Sequence, residues 1–504
     1  MFEGIDMFLD ALASFLHPKI IFDVLWSTQL GIIVGMLPGL TATMGVALMT
    51  TLTFKMAADN AVMILVCMYI GAIYGGSRSA ILLNIPGTPA NAATAVDGHP
   101  LARQGLAGRA IGIATTGSFL GSVIGMFMLA FFTPLIGNFA LSFKSFEFFW
   151  LAIFGIVICG NLTSPKDPLK GWIAGFVGLF IAMIGMEGIH AYVRFSFGSV
   201  ELSGGIALLP AMVGAFGFAE VITVMKNIEF EVVSKKIERV IPRVADIAKY
   251  WKTILRSGVV GTFVGALPGV GEDIAAWVSY NLAKNSSKEV DQFGKGSVEG
   301  LIAAETGNNA CVAGAMIPVL SLAVPGSAPA AVLLAAMFIH GVRPGPLIMI
   351  ESPEFVYQVV AMVLFATFAM FVLGLSMVKT IVKVLQIPRQ KLMPVVFVLC
   401  VIGSFAIQSR LFDIRVMIVF GVIGYLMREM EYPVAPMILG IILGDILDKN
   451  LRRSLILSDG NLLPFFTRPL CFVIFFITLF TILSKTRWFK QLLSRMKSKP
   501  SDAY

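Results

Sequence analysis

The chain alternates between two textures. Long, almost unbroken apolar runs lie near 107–135, 146–160, 171–187 and 204–225, and again near 355–379, 393–408, 415–427, 433–447 and 464–484. A helix needs about 20 apolar residues to cross the hydrocarbon core of a bilayer, so runs of this texture predict membrane-spanning helices. Around 31–54, 60–105, 258–284 and 296–346 the apolar stretches are instead short, interrupted by Pro-Gly, Gly-Gly, Asn and Thr. These segments predict broken helices or re-entrant hairpins, tolerated at membrane depth only against protein or a watery cavity. The expected fold class is an all-α polytopic membrane protein of roughly ten to twelve transmembrane helices.

The breaks occur twice in the same order. Val34-Gly35-Met36-Leu37-Pro38-Gly39-Leu40 returns as Val264-Gly265-Ala266-Leu267-Pro268-Gly269-Val270, an offset of 230 (264 against 34). Ile85-Pro86-Gly87-Thr88 returns as Val324-Pro325-Gly326-Ser327, an offset of 239 (324 against 85). Two motifs in register indicate an internal duplication, with repeats at 1–225 and 257–484. An inverted relation between the copies is expected.

Composition agrees with hydropathy. Apolar residues make up 57% of the 504 and charged residues 13%, well short of the quarter or so that a soluble surface needs. Charge then sets the orientation. Lys226 to Arg256 holds eight basic and four acidic residues, and Lys485 to Tyr504 six basic and one acidic. Both flank apolar runs, so the linker 226–256 and the tail 485–504 are expected in the cytoplasm. A basic patch beside membrane spans does not point to nucleic acid. The N-terminus carries Glu3, Asp6 and Asp10 without a basic leader and reads as an interfacial amphipathic helix, not a cleaved signal. Cys67, Cys159, Cys311, Cys400 and Cys471 are scattered through apolar runs and read as buried small hydrophobes. The pairs Gly121/Gly125 and Gly440/Gly444 read as close helix packing.

Discontinuous segments at matching places in two halves mark a transporter's binding site. A helix that stops inside the membrane leaves N–H groups free at one end and carbonyls at the other. The first attract anions; carbonyls and side-chain oxygens hold cations. The expected anion site comprises Gly39, Ser77, Arg78, Asn84, Gly87, Thr88 and Asn91 from the first half, with Gly269, Gly326 and Ser327 from the second. Thr41, Glu305, Asn308, Asn309 and Ser321 are candidates for a coupling cation, sodium or a proton. Arg78 is a carboxylate clamp by its fork geometry, or else snorkels to an interface or pairs with an acid. Glu272 and Asp273 are either intramembrane acids with a function or loop acids in water. Asp97-Gly98-His99-Pro100 reads as a turn, and His190 and His340 read as structural.

These residues together resemble the large membrane subunit of tripartite tricarboxylate transporters, the TctA family. The resemblance rests on Val34–Leu40, on Tyr74-Gly-Gly-Ser and Leu82-Leu-Asn-Ile-Pro-Gly-Thr-Pro-Ala, on Asp97-Gly-His-Pro-Leu-Ala-Arg-Gln-Gly, and on Phe293-Gly-Lys-Gly. It implies a carrier for small organic anions in a bacterial cytoplasmic membrane, driven by a cation gradient, commonly sodium. It also implies two partners, a small four-helix membrane subunit and a periplasmic solute-binding protein, besides the surrounding lipid. Ala323 stands where the family more often has glycine, and Gly271-Glu272-Asp273 is more acidic than the family pattern. No Gly-x-x-x-x-Gly-Lys-Ser/Thr phosphate loop, rhomboid-like Gly-x-Ser-x-Gly or His-Glu-x-x-His is present, which speaks against an ATPase or an intramembrane hydrolase.

Overall fold

The computed structural model describes residues 2–37, 40–164, 167–226, 244–377, 389–406 and 408–484. Gly39, the centre of the basic linker and the tail 485–504 lie outside the described residues. The chain is almost wholly helical: α1 Phe2–Phe15, α2 Pro18–Met36, α3 Ala42–Thr53, α4 Ala58–Leu83, α5 Ala92–Leu101, α6 Ala107–Ala140, α7 Ser145–Thr163 and α8 Pro168–Ala182. There follow α9 Leu208–Lys226, then α10 Trp251–Ala266, α11 Gly271–Ser286, α12 Val298–Leu322, α13 Ala328–Ile339 and α14 Pro353–Ser376. The series ends with α15 Arg389–Ala406, α16 Leu411–Glu429, α17 Val434–Leu457 and α18 Pro469–Leu483. Among the described residues five helical stretches are long and apolar enough to cross a membrane, and six shorter apolar helices accompany them. The apolar run expected over 171–187 stops as helix at Ala182, and a two-stranded hairpin, Gly185–Met186 against Val193–Arg194, follows it. All five cysteines are buried, and none is in a disulfide.

The first compact unit comprises Met1–Leu141 and Ala207–Met430. Two helices form its centre, α4 and α12, both buried on every face. A helix buried all round is a core element, and these two, which carry Arg78 and Glu305 inside it, are counterparts in the duplication. Glycine sets how closely their neighbours approach. A Cβ on Gly35 of α2 would stand 1.8 Å from Ala72 O of α4, and one on Gly265 of α10 would stand 2.4 Å from Cys311 O of α12. The two contacts differ by the offsets 230 and 239, so the duplication read from two motifs extends to packing. α2 and α4 run parallel, since Gly31 approaches Met68 O and Gly35 approaches Ala72 O; α10 and α12 do likewise, through Gly261 with Gly307 and Gly265 with Cys311.

α4 and α12 themselves are antiparallel. Ile81 and Leu82, at the end of α4, share a cluster with Leu301 and Ile302, at the start of α12, while mid-α4 Tyr69 meets Ser327 beyond the end of α12. Hence the copies run in opposite directions, as an inverted repeat does. The hairpins α2–α3 and α10–α11 therefore enter from opposite ends, and α10–α11 turns at Leu267–Val270.

The second unit comprises Ser142–Ile206 and Glu431–Tyr504, and its pairing reveals an exchange between the halves. α7 and α8 of the first half pack with α17 of the second: a Cβ on Gly178 would fall 1.9 Å from Met437 O, and one on Gly440 2.2 Å from Gly175 O. In the first unit the roles are reversed. α16 of the second half packs on α9 of the first, with Gly214 against Met417 O at 2.2 Å and Gly424 against Ala215 O at 2.5 Å. Each half thus lends a helix pair to a helix of the other. Gly121 and Gly125 approach Thr306 O and Ala310 O as packing glycines do. Within the second unit, buried Glu147 pairs with Arg468 at 2.6 Å, and Trp150 Nε1 donates to Phe465 O at 2.8 Å.

α4 and α12 both end on a left-handed residue, Asn84 with φ 57° and Ala323 with φ 56°. Asparagine tolerates that conformation; alanine pays about 1 kcal/mol or more for its Cβ. Ala323→Gly is therefore expected to stabilise the protein by about 1 kcal/mol. The measurement is the unfolding temperature in detergent, where an unchanged or lower value would refute the strain.

Candidate functional site

Each break is completed by the other half. After Asn84 the chain folds back along α4 until Gly87 N donates to Gly76 O at 3.3 Å. Gly87 needs its lack of a side chain, since a Cβ would lie 2.1 Å from Gly35 O. Thr88 then opens the next turn, and its Oγ1 donates to Asn91 Oδ1 at 2.6 Å. From α12 comes Glu305, fully buried. It accepts from Asn91 Nδ2 at 3.4 Å, from Thr94 Oγ1, and from Ser118 Oγ of α6 at 2.7 Å. Asn309 Nδ2 donates to Ser118 Oγ at 2.9 Å and to Glu305 O at 3.2 Å, leaving its Oδ1 without a partner. The cluster is a single carboxylate that accepts from two hydroxyls and an amide nitrogen, with the Asn309 Oδ1 left over as a further oxygen acceptor.

The second break is tied more tightly. Gly269 N donates to Pro325 O and Gly271 N to Gly326 O, both at 3.2 Å. Ser327 caps α13, accepting from Ala330 N at 3.3 Å. Tyr69 crosses from α4; its hydroxyl donates to Glu272, in the first turn of α11, and lies 2.6 Å from Ser327 Oγ. Glu272 is therefore buried and engaged, not a loop acid in water.

Arg78 neither reaches an interface nor forms an ion pair among the described residues. It is fully buried on α4. Nη2 donates to Gly374 O at 2.6 Å and to Thr115 Oγ1 at 3.3 Å, the guanidinium stands 4.8 Å over the Tyr74 ring, and Nε and Nη1 have no partner. A buried cation with unused donors costs several kcal/mol unless something neutralises it. That makes it the strongest anion-attracting group in this core.

The remaining expected residues scatter. Ser77 Oγ and Ser321 Oγ bond only to their own helices, at Tyr74 O and Ile317 O, each 2.7 Å. Thr41 caps α3, accepting from Met44 N at 3.2 Å. Asn84 is exposed at the end of α4, apart from the clusters, and its role in the structure is conformational. Asn308 is buried with neither amide atom partnered.

Asp97-Gly98-His99-Pro100 is not a turn, as its composition suggested; it is the last part of α5. The reason is tertiary. Asp97 Oδ1 accepts three backbone N–H groups, from Gly294 at 2.8 Å, Gly296 at 2.9 Å and Ser297 at 2.8 Å, and Oδ2 accepts from Tyr280 OH at 2.9 Å. The chain turns instead at Gly105, with φ 84°. Tyr69, Thr94, Ser118 and Thr115 were not among the expected residues. Thr94 follows Asn91 by one turn within a polar stretch and was legible; Tyr69 and Ser118 sit in apolar runs that give no local signal.

A helical membrane protein whose two inverted halves place opposed broken helices, a buried guanidinium and buried carboxylates in one core is a membrane transport protein. The family model described as tripartite tricarboxylate transporter TctA family matches residues 21–439, and the chain belongs to that family. Its transporters have several subunits, and this chain is a membrane transporter component. It is similar to two proteins of Agrobacterium vitis. One, an uncharacterized 52.8 kDa protein in the TAR-I ttuC' 3' region, is 34% identical over 442 residues, 88% of each chain. The other, an uncharacterized protein in the TAR-II ttuC' 3' region, is 33% identical over 210 residues, 42% of this chain and 87% of its own. No solved structure matches.

Asp97 offers a test of the cross-half latch. Asp97→Ala strands the buried N–H of Ser297 and removes the shared acceptor of Gly294 and Gly296, and is expected to cost about 2 kcal/mol, whereas Asp97→Asn keeps the accepting Oδ1 and costs less. Equal unfolding temperatures for the two variants would show that the latch does not hold the core.

Proposed function

We propose that this chain is the large transmembrane carrier subunit of a tripartite secondary transporter that imports small, tricarboxylate-like organic anions. A periplasmic solute-binding protein delivers the anion, and a small four-helix membrane subunit accompanies the carrier in the cytoplasmic membrane. The linker and C-terminal tail face the cytoplasm, following their excess of Lys and Arg. Transport proceeds by alternating access, driven by a cation gradient, with sodium the favoured ion and a proton the alternative.

The observation that carries this reading is the pairing of each break with a polar group of the opposite half. Two hairpins entering from opposite ends, each closed by the other copy, are suited to exchanging which end is open. Helix N-termini at Thr88 and Ser327, with Arg78 and its unused donors, supply an anion with partners. Glu305 with Thr94, Ser118 and Asn309 supplies a cation with oxygens.

Reconstituted vesicles containing the carrier and both partners test this. Glu305→Gln keeps the shape of the cluster and removes its charge, so gradient-driven uptake of labelled carboxylate is expected to fall by about two orders of magnitude, the worth of one lost charge-assisted contact. Sodium- or proton-driven uptake that persists unchanged in this variant would overturn the coupling role. Wild-type uptake indifferent to both gradients would overturn the secondary-transport reading.

A further inference from the structure

Between α1, α6 and α14 the first unit keeps an apolar groove of about 750 Å³, a volume in the range of small-molecule pockets. α6 lines it with Phe119, Val123, Phe127 and Phe131, a stripe at four-residue spacing that shares one helix face. α14 supplies Tyr357, Leu364 and Phe368 to the facing wall, and α1 adds Gly4 and Ile5. The two walls run antiparallel: the Phe119 and Phe371 rings are 4.7 Å apart, while Gly137 approaches Met349, just before the start of α14.

Near Ala140 and Pro353, where these helices end, α1 covers the groove. A Cβ on Gly4 would stand 2.3 Å from the Tyr357 hydroxyl, and the Phe15 and Phe365 rings are 5.8 Å apart. The inner end stops at aromatic rings, where Phe119 meets Phe368 at 5.3 Å. One turn beyond them Thr115 and Gly374 hold Arg78. From Tyr357 to Phe368 α14 advances 11 residues (368 − 357), about 16 Å. That is the depth of one leaflet in a hydrocarbon core about 30 Å thick. Both walls belong to helical stretches long and apolar enough to span a membrane, and Phe127, Phe131 and Phe368 are exposed. The groove therefore opens onto lipid tails. Its only polar side chains among the described residues are Tyr357 and Asn138, and none is charged, so a carboxylate finds no partner inside.

We infer that this groove is a binding site for one acyl chain of a membrane phospholipid, entering beside Tyr357 and Asn138 and ending at Phe119 and Phe368. At this depth lipid tails are the mobile apolar species that surround the protein. An unfilled apolar space forfeits the dispersion contacts of its lining, and a flexible chain restores them. A partner's helix presents a face about 10–12 Å wide, whereas this space runs between two helices to rings that touch. The bound tail packs on the ring pair beside Arg78 and so completes the wall between α6 and α14. The inference goes beyond the carrier reading and does not depend on it.

The test is photolabelling of the purified full chain in vesicles doped with a phosphatidylethanolamine that carries a diazirine near the end of one acyl chain. Peptide mapping is expected to find label along Phe119 to Ala130 and Val360 to Phe368. Its yield there is expected to exceed that on Phe472 and Phe476 of α18, exposed apolar residues outside the groove, by about threefold, the gain of packed over fluid contact. Ala130→Trp fills the groove and is expected to bring its labelling down to the α18 level. Leu364→Trp, on the facing wall, carries the test if that variant does not fold. Wild-type labelling of the groove no higher than that of α18 would overturn the inference, as would labelling that neither tryptophan lowers. Loss of groove labelling when the small membrane subunit is reconstituted alongside would overturn it too, by assigning the groove to a partner's helix.

Discussion

Inside a bilayer a broken helix must find partners for its freed backbone groups within the protein, because lipid offers none. Among the described residues three such breaks lie in one core, and much of its architecture follows from satisfying those ends. The breaks at Leu267–Val270 and Ala323–Ser327 bond to each other through Gly269 with Pro325 and Gly271 with Gly326. The break at Asn84–Thr88 folds back onto Gly76 of its own helix. What backbone pairing leaves over is met by side chains from the opposite half: Glu305 at the first break, Tyr69 at the second. Such partners can reach only if the flanking helices lie almost in contact, and so glycines at 31, 35, 261 and 265 bring backbone against backbone. Close packing here is a consequence of the breaks.

That ordering explains which parts of the protein were legible in its sequence. The Pro-Gly repeats carry local chemistry, and their two offsets already contained the packing register that Gly35 with Ala72 and Gly265 with Cys311 later displayed. Apolar runs located most helices to within about five residues, because burial and lipid exposure both demand apolar side chains; α17 runs ten residues beyond its apolar run, to Leu457, through a charged last part. Asp97-Gly-His-Pro misled because turn propensity is local, while the three N–H groups that hold Asp97 in α5 belong to residues nearly 200 positions away. Tyr69 gave no signal for a similar reason: one hydroxyl in an apolar run becomes informative only beside Glu272 and Ser327. The exchange of helices between halves, α8 with α17 and α16 with α9, depends on which surfaces meet, and hydropathy is silent on that.

Duplication supplied two equivalent breaks, yet the side chains around them have diverged. At the second break Glu272 stands in the first turn of α11 and is held by Tyr69 of the opposite half; Ala42 occupies the matching place at the start of α3. A buried carboxylate costs several kcal/mol to desolvate unless it is hydrogen-bonded, and the Tyr69 hydroxyl, with Ser327 beside it, meets that demand. The acidic Gly271-Glu272-Asp273, which stood out against the family pattern as a local departure, then has a physical role: it ties the second hairpin across the repeat.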